Sequence, residues 1–488
     1  MQKMNMFMIQ RAFSSFSISR VSRLHQPVSH GVSWSFSHIN PTEDSISQLL
    51  VHEGFIQQCS SGLYAMLPLA QRALDKLCRI VEQEMEAINA NKLLLPTLTS
   101  LELWQKSGRW RPTNPELMTM SDHHQKQYLL SPTHEEAICE LLSHKEDTSL
   151  SKLPLLLYQI SSKFRDEGRP CHGLLRAREF MMKDLYSFDC DEPSAAKTYD
   201  VVTTSYLRVL SRLGVPYIRV EGSCGDIGGS FSHEYHFESD AGQDILLRCS
   251  NCGHCASQDF LLETRGGIVG QQEAHIECPK CSSSHMDSIK GIEVGHTFLL
   301  GDKYSAPLKA TFQYKQGVRR PLIMGCYGLG LSRLVQATVT RCSSQNSIVW
   351  PWVLAPYKLC IIGPKRGSKE SAASVWVESL AVCLQQQVPA LRGDVIIDDR
   401  DAFTIGNRVY AAKRAGYPLV VVVGKHALRD MPLFELIDNT AAFRSLQETS
   451  KTPLFGEGLS SKSGNLLTQL ELLNYLGVLC NELDQIRS

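Results

Sequence analysis

The stretch FRDEGRPCHGLLRAREFMMKD, Phe164 to Asp184, sets Arg165, Arg176 and Arg178 among Glu167, Phe180 and Asp184. Its first half reads as a strand ending in a turn, and its second half as a returning strand or helix. Two arginines, a carboxylate and an aromatic ring then stand on opposite arms of one hairpin. Guanidinium forks neutralise and orient anions bidentately, so such a hairpin is either a site that grips charged groups or a solvated loop with ordinary ion pairs. A second chemistry lies downstream. Cys249-x-x-Cys252 and Cys278-x-x-Cys281 have the paired spacing of a zinc ribbon, with Cys255 as a spare thiol. The two pairs are further apart than is usual for such a ribbon, so a structural Zn2+ and uncommitted thiols both stand as readings.

These side chains need rigid carriers. From Pro68 to Asn91, apolar residues at Leu69, Ala73, Leu77, Ile80, Val81, Met85 and Ile88 keep helical spacing behind a proline suited to a first turn. KLLLPTL follows as a short buried strand interrupted by Pro96. Between Tyr128 and Phe237 the runs YLLSPT, LLLYQISSKF, EFMMKDLYSF, PYIRVEG and HEYHF alternate with turn residues, which predicts a largely antiparallel sheet with helices on one side. Gly242 to Lys290 carries the cysteine ladder and little hydrophobic periodicity. Sheet character resumes in EVGHTFLLGDKYS and LIMGCYGLGLSRLVQA. Beyond the linker-like QNSIVWPWVLAPYK, the strands KLCIIG, DVIIDD and PLVVVVG are separated by helical segments at Ser371–Gln387 and Gly406–Ala415. That order predicts an α/β unit with parallel pairing.

The bulk numbers suit a soluble globular enzyme. The chain has 488 residues, 43% hydrophobic and 20% charged, with a formal net charge of zero. No global basic field advertises a nucleic acid, so any such contact must be local. No apolar run reaches the roughly 18 residues of a membrane-spanning helix. Sixteen scattered cysteines in a chain of this length suggest free thiols in a reducing compartment. From Met1 to Thr42 there is no acid, whereas Lys3, Arg11, Arg20 and Arg23 are interleaved with apolar residues and many serines. An arginine- and serine-rich, acid-poor leader predicts an organelle transit peptide and a location in the mitochondrial matrix.

Phe164-Arg165-x-Glu167, a variable loop, then Arg176-x-x-x-Phe180-x-x-x-Asp184 resembles motif 2 of class II aminoacyl-tRNA synthetases. Gly328-Leu-Gly330-Leu-Ser-Arg333 resembles motif 3, and the Pro68–Asn91 helix with Pro96 resembles motif 1. TxE at Thr133 and Glu135, GGSFSHEYHF, EVGHTFLLGDKYS and GCYGLGLSR together resemble the bacterial-type prolyl-tRNA synthetases, from about Ser47 to the C-terminus. The resemblance implies activation of proline with ATP and Mg2+, followed by transfer to tRNA(Pro). It implies that Arg165 holds the α-phosphate and the substrate carboxylate and that Glu167 accepts from the adenine amino group. Phe180 would stack on the purine, Arg333 would clamp the γ-phosphate, and Arg176 is a second phosphate candidate. Charge clamping and positioning then do the work, without a covalent nucleophile. For a secondary ammonium in an apolar ring, Glu135 supplies the anion and Thr133 a hydroxyl, with His233 a weaker candidate. Cys326 reads as a small buried residue.

The implied fold is an α+β catalytic domain built on an antiparallel sheet, followed by an α/β anticodon-binding domain. The implied division is a disordered transit peptide over 1–42, a catalytic domain over 43–345 with a Cys-rich insert at about 245–290, and an anticodon-binding domain over 352–488. Arg400, Arg408, Lys413 and Arg414 offer that last domain a phosphate-tracking face. The motif 1 resemblance implies a homodimer. Gln243 to Gly291 is too short to fold a hydrolytic editing domain with its own pocket. Two alternatives remain: a threonyl-, glycyl- or histidyl-specific relative, and a non-catalytic synthetase-like protein that binds nucleic acid.

Overall fold

The structure is a computed structural model that describes residues 18–27, 45–110, 117–144, 148–264, 277–315, 317–343, 347–440 and 465–485. Its larger module is built on nine strands: β1 (Asn91–Lys92), β2 (Leu155–Phe164), β3 (Glu179–Asp189), β4 (Ile218–Glu221), β5 (Phe231–Glu238), β6 (Asp244–Cys249), β7 (Cys255–Ser257), β8 (Met286–Gly301) and β9 (Ile323–Gly330). They form one sheet in the order β5-β4-β7-β6-β8-β9-β3-β2-β1, with β5 also pairing β8. The pairings β2–β3, β3–β9, β9–β8 and β8–β6 are all antiparallel, as the strand runs predict.

Helices α1 (Pro68–Glu86), α2 (Glu135–Ser143), α3 (Glu192–Leu213) and α4 (Leu331–Cys342) belong to the same module. Three of them, α1, α3 and α4, pack on one face of the sheet through a core that includes Leu77, Val81, Tyr206, Leu210 and Leu334. A smaller apolar cluster on the other face joins Trp104, Tyr186, Phe298, Tyr304 and Cys326. Helix α1 stops at Glu86, earlier than its periodicity predicts. Asn89 adopts a left-handed φ of 58°, a conformation asparagine tolerates, and the chain turns back into the sheet edge. KLLLPTL is likewise not one buried strand. Pro96 has no N–H for a ladder, so β1 and the separate strand Leu98–Ser100 flank an irregular step with Leu94 75% exposed.

The C-terminal module contains β10 (Leu359–Ile362), α5 (Val375–Gln387), β11 (Val395–Asp398), α6 (Ile405–Arg414), β12 (Leu419–Val422), β13 (Phe434–Asp438), β14 (Asn465–Leu467) and α7 (Gln469–Gln485). Strands β11, β10 and β12 pair in parallel, as predicted, and β13 and β14 add antiparallel. The outermost strand corrects the reading of a disordered leader over 1–42. Ser19–Arg20 pairs parallel with β11, Val21 is buried, and both the amide and the hydroxyl of Ser22 donate to Asp399 at 2.9 and 2.6 Å. An arginine- and serine-rich composition does not register backbone hydrogen bonds to a strand almost four hundred residues away, which is why the leader reading missed this segment. Residues 1–17 and 28–42 of that reading lie outside the described residues.

Candidate active site

Register places the site residues on one face. Gln159, Ser161 and Lys163 stand opposite Asp184, Met182 and Phe180 across β2–β3. Tyr186, Asp184 and Met182 in turn face Cys326, Gly328 and Gly330 on β9, and Phe298 and His296 face Cys326 and Gly328 from β8. Because side chains alternate along a strand, all of these look away from the three packed helices. At Gly328 an added Cβ would meet the Met182 sulfur at an ordinary 3.6 Å, so the bare backbone relieves no clash and leaves open floor beneath the site.

Two cavities open above this floor, and Arg165 lines both. One, of about 380 Å³, is bounded by Trp104, Arg109, Thr133, His296 and Phe298. The other, of about 230 Å³, is bounded by Glu167, Arg176, Asp244, Glu293 and Arg333. Arg165 follows the last residue of β2, and its amide donates to the Arg178 carbonyl at 2.9 Å across the hairpin. Its guanidinium carbon lies 5.3 Å from the centre of the buried Phe180 ring. Arg176 donates through Nε to Glu167 and through Nη1 to Gln243, both at 2.8 Å. Arg333 donates to the Glu293 carbonyl at 3.1 Å. Burial would raise the Glu293 carboxyl, but the hydrogen bond with His296 and the charges of His296, Arg333 and His236 hold it well below the usual range. Burial and the charge of Glu293 push the neighbouring Asp244 carboxyl up.

Thr133 lines the Trp104 cavity together with Arg109, Ser223, His296 and Lys303. Its hydroxyl donates to Glu135 Oε1 at 2.7 Å, and the Tyr186 hydroxyl lies 3.4 Å away. Glu135 itself is fully buried beneath Thr133. Arg109 Nη1 reaches Glu135 Oε2 at 3.0 Å and Glu136 Oε1 at 3.3 Å, and the Cys326 thiol donates to Glu135 Oε1 at 3.0 Å. Burial works against the charge on Arg109, but Glu136 and Glu135 outweigh it and hold the guanidinium above its ordinary value. That guanidinium also stacks 4.4 Å over Trp104. Behind this layer Asp184 forms an ion pair with Lys163 at 2.7 Å and accepts from Gln159 at 2.9 Å and Tyr186 at 2.8 Å.

Several residues escaped sequence reasoning. Arg109 lies outside every motif, and a lone arginine between two tryptophans gave no signal. Gln336, fully buried on α4, accepts from the Leu174 amide at 2.7 Å and donates to Ser47 Oγ at 2.6 Å and the His172 carbonyl at 2.8 Å. It thereby fixes the motif 2 loop to the motif 3 helix, and Gly173 at φ 64° leaves it room.

Other expected residues fall elsewhere. His233 pairs with Thr297, whose side chain turns toward α3, and its Nδ1 lies 2.9 Å from the Tyr199 hydroxyl on that helix. Strand parity therefore puts His233 on the helix face, away from both cavities. The C-terminal arginines do not form a phosphate-tracking face. Arg408 is buried and donates to the carbonyls of Asp398 and Gly363, Arg400 grips Asp398 at 2.7 Å, and Arg414 pairs with Glu53 in the larger module. These three act as struts because their alkyl stems lie in the core and each charge already has a partner. Lys413 on the same helix stays exposed. The Sγ atoms of Cys249, Cys252, Cys278 and Cys281 all lie within 4.8 Å of one another, while Cys255 is outside that group.

Comparison with known proteins gives a consistent result. Residues 118–341 match the tRNA synthetase class II core domain (G, H, P, S and T). The chain is 43% identical over 389 residues to a human protein described as "Probable proline--tRNA ligase, mitochondrial", covering 80% of each chain. A protein of the same description from Schizosaccharomyces pombe is 37% identical over 381 residues, covering 78% of this chain and 86% of that one. The proline--tRNA ligase of Moorella thermoacetica is 30% identical over 561 residues, covering 86% and 95%. Among solved structures, prolyl-tRNA synthetase from Cryptosporidium parvum complexed with L-proline and AMP superposes with a TM-score of 0.66 at 15% identity, over 90% of this chain and 78% of that one. At that identity the likeness concerns the fold.

Proposed function

The chain belongs to the class II prolyl-tRNA synthetases and is a proline--tRNA ligase, and from that premise we propose how its own residues carry the reaction. The observation that supports the reading is Arg165 in the wall of both cavities. Activation of an amino acid brings two anions, a carboxylate and the α-phosphate of ATP, to one point. An arginine fixed there neutralises both and the charge that builds on phosphorus. Proline occupies the Trp104 cavity and ATP the Arg333 cavity. The proline carboxylate oxygen bonds to the α-phosphorus as the bond to pyrophosphate breaks. Arg333 and Arg176 hold the departing phosphates, while Glu167 and Phe180 receive the adenine. The ring ammonium meets the Thr133 hydroxyl, which Glu135 orients and polarises from behind. The prolyl group then passes from the adenylate to a hydroxyl of the terminal ribose of tRNA(Pro), and AMP leaves.

Mg2+ enters with ATP as part of the substrate and would offset the charge of its phosphates. Asp244 and Glu293, which line the same cavity, would hold it: the charge of Glu293 pushes the Asp244 carboxyl up, and a divalent cation there would offset that repulsion. The C-terminal α/β module is assigned to the anticodon, and the matrix of the mitochondrion to the whole protein. The acid-poor leader supports that location, as do the relatives whose descriptions say mitochondrial. Exchange of labelled pyrophosphate into ATP, run with a panel of amino acids, tests the reading. Stimulation by proline above threonine, glycine and histidine is expected. Equal stimulation by any of those three, or none by proline, would sink it.

A further inference from the structure

The cysteine-bearing insert runs between two strands that carry nucleotide-cavity residues. Strand β6 starts at Asp244 and ends at Cys249, and β8 starts at Met286 and carries Glu293. The two pair from Asp244↔Gly291 to Cys249↔Met286. The cysteines cap the far end of that ladder.

The two Cys-x-x-Cys turns are built alike. In the first, the Cys249 amide donates to the His254 carbonyl at 2.8 Å and the Gly253 amide to the Cys249 carbonyl at 2.9 Å. In the second, the Cys278 amide donates to the Ser283 carbonyl and the Ser282 amide to the Cys278 carbonyl, both at 2.8 Å. Each turn closes on a left-handed residue directly after its second cysteine, Gly253 at φ 72° and Ser282 at φ 56°. Glycine adopts that region freely, whereas a serine there is strained, so the second turn holds at a cost the shape that the first takes without one. The Cys249–Cys281 and Cys252–Cys278 sulfur pairs are each 3.5 Å apart. Four thiolates at about 2.3 Å from a central tetrahedral ion stand about 3.8 Å from one another. Amide groups already point at the sulfurs: the Lys280 amide at 3.4 Å from Cys278 and the Asn251 side chain at 3.6 Å from Cys281. The apolar cluster beneath holds only Leu247, Ala256 and Leu261 among the described buried residues. So small a core does not hold a module without a cross-link.

We infer that the insert is a zinc ribbon in which Cys249, Cys252, Cys278 and Cys281 bind one Zn2+ as thiolates and clamp the far ends of β6 and β8. Four protein sulfurs leave no open position, so the ion takes no part in the chemistry of activation. It holds the ladder whose other end presents Asp244 and Glu293 to the nucleotide. Cys255, paired with Arg248 across β6–β7, stays a free thiol.

The test reads metal directly and stands apart from activity. Full-length protein, purified without chelator, is analysed for zinc by mass spectrometry of the elements. One zinc per chain is expected. In Cys252→Ser/Cys281→Ser the content should fall at least about tenfold, and in Cys255→Ser it should stay at one. Cobalt(II) added to the chelated protein should give the charge-transfer and ligand-field bands of a tetrahedral four-thiolate site. Should the double variant fold poorly, the native protein stripped by chelator provides the second reading. Amide exchange should then rise at least about tenfold in Asp244–Cys249 and at the start of β8 and stay unchanged in β2 and β3. Protein with no bound metal, cysteines recovered as disulfides, zinc retained in the double variant, or unchanged exchange after stripping would each overturn the proposal.

Discussion

Arg165 and Arg333 both line the cavity we assign to the nucleotide, one directly after β2 and one on α4. If charge neutralisation at the α-phosphate and at the departing pyrophosphate is their work, each acts chiefly in the transition state. Arg165→Ala and Arg333→Ala are therefore expected to lower proline-dependent pyrophosphate exchange at least about a hundredfold. Near-normal exchange in either variant would remove that residue from the mechanism. Thr133 and Glu135 are both buried but differ in access, since only Thr133 lines the cavity. Thr133 touches the cavity, so Thr133→Val should raise the Michaelis constant for proline and leave the unfolding midpoint almost unchanged. Glu135 is sealed between Thr133, Arg109 and Cys326. Its removal takes one of two carboxylates from the buried Arg109 guanidinium, which keeps Glu136 at 3.3 Å, so the cost should stay below the roughly 3–5 kcal/mol of a fully broken buried pair. Glu135→Ala should accordingly lower the unfolding midpoint as well as proline affinity. A folded, fully stable Glu135→Ala protein that has lost only proline binding would contradict the second layer.

At the scale of elements, the Ser19–Arg20 strand bears on where the transit peptide we propose is cleaved. Besides its pairing with β11 it brings Arg20 to Glu378 on α5, the Tyr357 hydroxyl to Ser19 Oγ at 3.0 Å, and Gln26 Nε2 to the Glu53 carbonyl at 2.8 Å. The last contact reaches the larger module, so the segment straps the two modules together. Removal of residues 1–27 should lower thermal stability by several degrees relative to removal of 1–17. Protein recovered from mitochondria should begin at or before Ile18. A mature N-terminus beyond Gln26, with full stability, would show the strap to be dispensable.

For the whole molecule, two consequences concern what surrounds the site. Leu94, Leu98 and Met120 are exposed near the motif 1 segment at 75%, 44% and 46%, an apolar surface consistent with the homodimer we propose. Sedimentation at micromolar concentration should give twice the chain's 54.6 kDa, and the single-chain mass would count against pairing. Discrimination between proline and alanine rests on a small difference in apolar contact, worth about 1–3 kcal/mol, so alanine should be activated measurably. Among its described residues the insert holds short strands, the helix Gln258–Thr264 and the cysteine turns, and their apolar core is too slight to enclose a second pocket. Alanyl-tRNA(Pro) should therefore persist in the presence of the enzyme. Release of alanine well above the protein-free rate would reveal an editing site in the chain.

Spacing and residue type were enough for the motif 2 hairpin, the motif 3 glycines, the antiparallel sheet with its helices and the parallel C-terminal unit. Each of these is a periodic or local pattern that a sequence displays directly. The paired cysteines were legible for the same reason, although spacing left their partners open. What only the tertiary structure decided concerns side chains whose surroundings come from distant segments. Glu135 turned out to be a buried support because Arg109 and Cys326 close over it, and His233 faced the helices because strand parity sets its direction. Arg408 and Arg414 became internal struts because Asp398, Gly363 and Glu53 meet them there. A charge in a sequence carries no record of its partner. Local chemistry fixed which groups could act, and long-range packing decided which of them face the substrate.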